Sequence, residues 1–161
     1  MKRTILFFAF AVSLFLTGSA TASPFHCSDY RGDIVDFKNH GSATKIAFAG
    51  FKFNGAPVIW SNEALGSDWD PMLKQYAYYY ECARHVLGTT LNQTGNNFDA
   101  TDSVTRADCW AASKLVISDG VALAKIEELQ NQINTMSRSQ WASFPGPVRR
   151  VHLAKEDCRL K

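Results

Sequence analysis

Four cysteines downstream of an export signal constrain this chain more than any other feature. Lys2-Arg3 form a short positive region, Ile5 to Leu16 are almost all apolar, and Ala20-Thr21-Ala22 puts small residues where a signal peptidase reads. This pattern predicts a secretory signal peptide over residues 1–22, with residues 23–161 periplasmic or secreted. Cys27, Cys82, Cys109 and Cys158 then meet an oxidising compartment, where an even number of cysteines predicts two disulfides. Four cysteines allow three pairings, and spacing alone does not choose among them. No Cys-x-x-Cys pair is present to chelate a metal locally, which argues against a zinc site built from the four.

Charge and hydropathy narrow the class. Without Lys2 and Arg3 the basic residues fall from 17 to 15 and equal the 15 acidic ones. A neutral chain lacks the basic excess that a nucleic-acid binder needs. Hydrophobic content of 46% with charged content of 20% excludes wholesale disorder. No apolar run after the signal reaches about 18 residues, so no membrane association is expected once the signal is removed. Residues 23–161 suit one domain with a sizeable core.

Extended segments come first. Ile34, Val35 and Phe37 mark one over 33–38, and Thr44 to Phe53 alternates as a strand does. Asn54-Gly55 is a strong hairpin signal because both residues tolerate positive φ, and Pro57 to Trp60 reads as the returning strand. Residues 33–60 are expected to form a small antiparallel meander. Helices follow. Asp70 as N-cap, Pro71 at the first helical position and Gly88 as C-cap bracket a helix over 71–87, with Leu73, Tyr76, Tyr80, Ala83 and Leu87 as its buried stripe. A second helix starts near Asp102 or Ser103 with Ala107, Trp110, Ala111 and Leu115 inward. A third runs from Val121 to about Met136 on Ala122, Ile126, Leu129, Ile133 and Met136. After the Pro145-Gly146-Pro147 turn a last helix would bury Val148, Val151, Ala154 and Cys158, with Arg149, Arg150, Lys155 and Arg159 on a solvated face. The expected class is α+β, a small sheet followed by about four helices, stapled by disulfides.

Two stretches carry the chemistry: Tyr80-Glu81-Cys82-Ala83-Arg84-His85-Val86-Leu87-Gly88, and Arg106-Ala107-Asp108-Cys109-Trp110-Ala111 about twenty residues later. The pair resembles the active-site helices of exported bacterial zinc metallopeptidases of the gluzincin type. Those read His-Glu-Cys-Ala-His-His-x-Leu-Gly, then Glu-x-x-Ala-Asp-Cys-Trp-Ala. In that motif two His at i and i+4 grip zinc and the Glu between them is the general base for the zinc-bound water. A Glu of the second helix is the third ligand, and an Asp four residues on orients a ligand.

The resemblance, carried over residue by residue, departs from its family at the metal. The two His positions are Tyr80 and Arg84, and the third-ligand position is Val104. Arg cannot bind a cation and Val has no donor atom. The base position Glu81 and the orienting position Asp108 remain. The resemblance therefore implies a zincin-like domain with no metal and no cofactor, catalytically inactive, with Arg84 pairing with Glu81, Asp108 or both where the metal stood. Tyr80 and Val104 would fill the rest of that volume. It further implies disulfides Cys82–Cys109, between the two helices, and Cys27–Cys158. A peptide or protein partner is expected in the vestigial cleft, along a strand edge. Two alternatives stand beside this. One is a working hydrolase with an altered metal site, using Glu81 as general base, with Glu81, His85 and Asp108 as a shifted ligand set. The other is a structural envelope protein. His85 on its own reads as a surface or cap residue near the helix C-terminus, where its charged form is favoured.

Overall fold

The computed structural model describes residues 25–92, 99–153 and 155–160; the expected signal peptide, 1–22, lies outside them. The class is α+β, with three strands followed by four helices and a single final turn. β1 (Asp36–Asn39), β2 (Ala47–Phe51) and β3 (Pro57–Ser61) form one sheet in the order β1-β3-β2. β2 and β3 pair antiparallel across the Asn54-Gly55 turn, with Ala49 opposite Ile59. Gly55 there has φ +80° and its amide donates to Lys52 O.

The sheet is not a meander. β1 pairs with β3 and runs parallel to it, Phe37 opposite Ile59. The reason lies in β3, whose Pro57, Val58, Ile59 and Ser61 are all buried. A strand apolar on both faces belongs in the centre of a sheet, with a neighbour on each side. The expected alternation of β2 holds for Ala47 and Ala49, which are buried, but stops before Phe53, which is fully exposed at the turn.

α1 (Pro71–Val86) forms where its capping residues direct. Asp70 accepts from the amides of Met72 and Leu73, Pro71 opens the first turn, and Gly88 at φ +68° follows the last. Its burial is wider than one stripe: Tyr76, Tyr80 and Ala83 are buried, but so are Tyr79, Glu81, Cys82 and His85. α1 is the central helix, packed on α2 (Asp99–Asp119) along one side and on β2 and β3 along another. Ala107, Ala111, Ala112 and Leu115 of α2 are fully enclosed, and the small alanines allow a close approach of the two helices. α3 (Leu123–Asn134) buries Ile126, Leu129 and Ile133; of the ends of its expected stripe, Ala122 is exposed and Met136 half-buried.

The C-terminal part differs most from expectation. α4 (Arg138–Ser143), closed by a Ser137/Gln140 capping box, is not signalled by the apolar pattern. After the Pro-Gly-Pro turn no helix starts until the single turn α5 (Lys155–Cys158). Val148 is exposed, Val151 and Leu153 are buried, and residues 149–153 form no helix or strand. Side chains of α3 hold them so. Asn134 donates through Nδ2 to Val151 O at 3.0 Å and accepts from Val151 N at 2.8 Å, and Gln130 accepts from Leu153 N at 2.5 Å. A local helix cannot compete with backbone groups already bonded in this way. Ala154 lies outside the described residues.

Two disulfides staple the fold, and they are Cys27–Cys82 and Cys109–Cys158. The pairing implied by the resemblance, Cys82 with Cys109 and Cys27 with Cys158, is thus corrected. One residue turns a helical side chain by about 100°. Asp108 faces α1, where Tyr76 bonds it, so its neighbour Cys109 is swung off that face and meets the C-terminal segment instead. Cys82 likewise meets the N-terminal segment.

Candidate functional site

The site lies between β2, α1, α2 and the segment after α4. Glu81 is fully buried. Its Oε2 accepts from the amide of Ala49 on β2 at 2.7 Å and from Arg84 Nη1 at 3.0 Å. Oε1 has no partner. Burial pushes the Glu81 carboxyl above its ordinary pKa, against the nearby Arg84 charge and the Ala49 hydrogen bond, which pull it down. Lys45, just before β2, is close enough to add to that pull. Its ammonium is anchored on Phe144 O at 2.6 Å and Gly146 O at 3.2 Å.

Asp108 sits on α2, 4% exposed. Tyr76 donates to its Oδ1 at 2.6 Å. The cation on Asp108 is Arg149. Its Nε reaches Oδ2 at 2.8 Å and its Nη2 reaches Oδ1 at 2.5 Å, a bidentate pair. Nη1 donates to Pro145 O and Pro147 O. The same guanidinium lies 4.6 Å above the Tyr80 ring and 5.5 Å from that of Trp141. Burial would lower the Arg149 pKa, yet its bonds to Asp108 raise it, so it stays charged. Tyr80 is 1% exposed and burial pushes its phenol up to about 12.

Tyr80, Glu81, Arg84 and Asp108 lie in one cluster, and Val104 shares no side-chain hydrogen bond, ion pair or ring contact with it among the described residues. Arg84 pairs with Glu81 and not with Asp108. Tyr80 is buried bulk beside them, while Val104 on α2 is only partly buried. Arg149 was expected on a solvated face; its side chain is 11% exposed and completes the cluster. The one sequence signal for it is that Asp108 lies a helical turn before the inward-facing Ala111, where a carboxylate needs a cation.

A zinc ion does not fit this set. One carboxylate already carries a guanidinium, the other carries two guanidinium bonds, and Tyr80, Arg84 and Val104 supply at most one weak donor. Among the described residues no group of three or more His, Cys, Asp or Glu is placed to hold a metal. The shifted set of Glu81, His85 and Asp108 is not assembled. His85 is 1% exposed, not a surface cap; its Nε2 bonds Val58 O at 3.0 Å and the Phe51 ring meets it edge-on. Burial lowers its pKa, so the neutral form is favoured where a charged one was expected.

No known protein-family model, curated protein or solved structure matches the chain.

The cluster is also covered. Ile46 N bonds Ser143 O at 2.8 Å, next to the Lys45 contacts, so the 143–147 segment is fastened along the start of β2. Gly146 rests on Tyr80: a Cβ there would lie 2.5 Å from the Tyr80 hydroxyl. Only glycine, at φ +73°, permits this approach.

Proposed function

We propose that this chain is an exported, non-catalytic relative of zinc metallopeptidases, acting by binding or as a structural component in the periplasm or outside the cell. The observation that carries this reading is the 3.0 Å ion pair of Arg84 with Glu81. A guanidinium at a ligand position occupies the carboxylate that a hydrolase would aim at water. The two disulfides agree with an exported chain. Covering by the 143–147 segment makes a closed structural module the better form of the proposal. A peptide partner in the vestigial cleft would have to displace that segment, since Ile46, just before β2, is bonded to Ser143 and the Ala49 amide of β2 is taken by Glu81.

The test is zinc content and peptidase activity of the purified protein. The wild type is expected to hold no zinc after dialysis and to leave unfolded protein substrates intact. The triple change Tyr80→His, Arg84→His, Val104→Glu is expected to gain zinc. One tightly held zinc per wild-type chain would sink the proposal.

One observation favours a second reading, a hydrolase without this metal. The unpartnered Oε1 of Glu81 and its raised pKa are what a general base needs. Cleavage that disappears in Glu81→Gln would establish it. Lacking an electrophile for the oxyanion, such an enzyme would forgo the largest usual source of rate.

A further inference from the structure

Away from the Glu81 and Asp108 cluster, a cleft of about 390 Å³ opens between the C-terminal half of α3 and the 149–152 segment. Its size is that of small-ligand sites. Among the described residues its lining contains no acidic residue; the ionisable groups there are Arg149, Arg150 and His152, and the Asp157 carboxylate stands 3.9 Å from His152 Nδ1. Arg149 is already neutralised by Asp108. Arg150 is not: it is exposed and makes no ion pair or side-chain hydrogen bond among the described residues. Arg150 and His152 are exposed, alternating with the buried Val151 and Leu153. Across the cleft stand the carboxamide of Asn131, which has no partner among the described residues, and the hydroxyl of Thr135.

The walls are rigid. Asn134 holds both backbone groups of Val151, Gln130 holds Leu153, and Arg149 is fixed at the head of the segment by Asp108. A preformed cleft loses little entropy when a ligand enters. The Arg150 guanidinium on one wall recognises a carboxylate, and on the other the Asn131 carboxamide and the oxygen of Thr135, whose proton goes to Asn131 O and Gln132 O, meet hydroxyl groups.

We infer that this cleft binds a hydroxylated carboxylate, of the sugar-acid class. The inference is independent of whether the Glu81 centre is active. The test is a titration of the disulfide-intact protein with D-glucuronate, followed by amide chemical shifts, with D-glucose and inorganic phosphate as comparisons. Saturable shifts are expected at Asn131, Thr135, Arg150 and His152. Affinity should fall roughly tenfold or more in Arg150→Glu, and D-glucose should bind at least about tenfold more weakly, the scale of one lost charge-assisted hydrogen bond. Because Arg150 is exposed and unpaired, the variant should keep the wild-type melting temperature, and Arg150→Lys should retain most of the binding. Absence of saturable shifts, equal binding by Arg150→Glu, or equal binding of D-glucose would each overturn the assignment. Phosphate binding as tight as glucuronate would overturn the sugar-acid class.

Discussion

Arg149 grips Asp108 through two hydrogen bonds, at 2.8 and 2.5 Å, across a sequence separation of 41 residues. The pair joins α2 to the C-terminal segment at a point that Tyr76 and Tyr80 seal from water.

Arg149→Met should therefore be among the most damaging single changes. It strands a buried carboxylate and frees the Pro145 and Pro147 carbonyls, for a loss of about 3–5 kcal/mol in urea unfolding. Adding Asp108→Asn to the variant should recover part of the loss, because the stranded charge goes with it. A loss under about 1 kcal/mol would mean that water reaches Asp108.

Glu81 has the opposite sign. Its folded pKa is raised, so its contribution to stability is fully present below the unfolded value near 4.5 and is lost as pH rises through the folded value. At neutral pH, Glu81→Gln should cost nothing or stabilise, since Gln still accepts from Ala49 and Arg84 can turn to solvent. Equal unfolding midpoints, or a rise in the variant, would be seen in thermal melts at pH 7. A clear fall would show that the Arg84 pair outweighs the burial.

His85 should make the fold acid-sensitive. Its folded pKa lies below the unfolded value of 6.5, so its contribution is complete above that value and is lost as pH falls from it toward the folded pKa. Unfolding free energy measured at pH 7.5 and pH 5 should drop for the wild type and drop less for His85→Gln. Identical drops would assign the sensitivity to other groups.

Peptide mapping without reduction should recover Cys27–Cys82 and Cys109–Cys158. The double change Cys27→Ser, Cys82→Ser opens a loop of separation 55 and should cost about 2–4 kcal/mol. A Cys82–Cys109 peptide would contradict the fold at its centre.

Local signals carried the β2–β3 hairpin and α1. Asp70, Pro71 and Gly88 bound α1 because capping is decided within a turn of helix, and Asn54-Gly55 marks the hairpin for the same reason. What escaped depends on distant partners. β1 lies beside β3 because β3 is apolar on both faces, which alternation within β1 cannot reveal. The 149–153 stretch is not helical because Asn134 and Gln130 bond its backbone from another helix. At the site, the motif frame predicts Glu81 with Arg84, neighbours on one helix, but not Arg149, whose partners come from two other elements.

The bond from Ala49 to Glu81 ties a buried carboxylate to one particular amide of an edge strand. Amides along a strand alternate in direction. Were β2 to slide by one residue against β3, a different amide would face the helix and Glu81 would lose its backbone donor deep in the core. The Glu81 carboxylate thus serves as a proofreader of strand alignment, penalising misthreaded sheets.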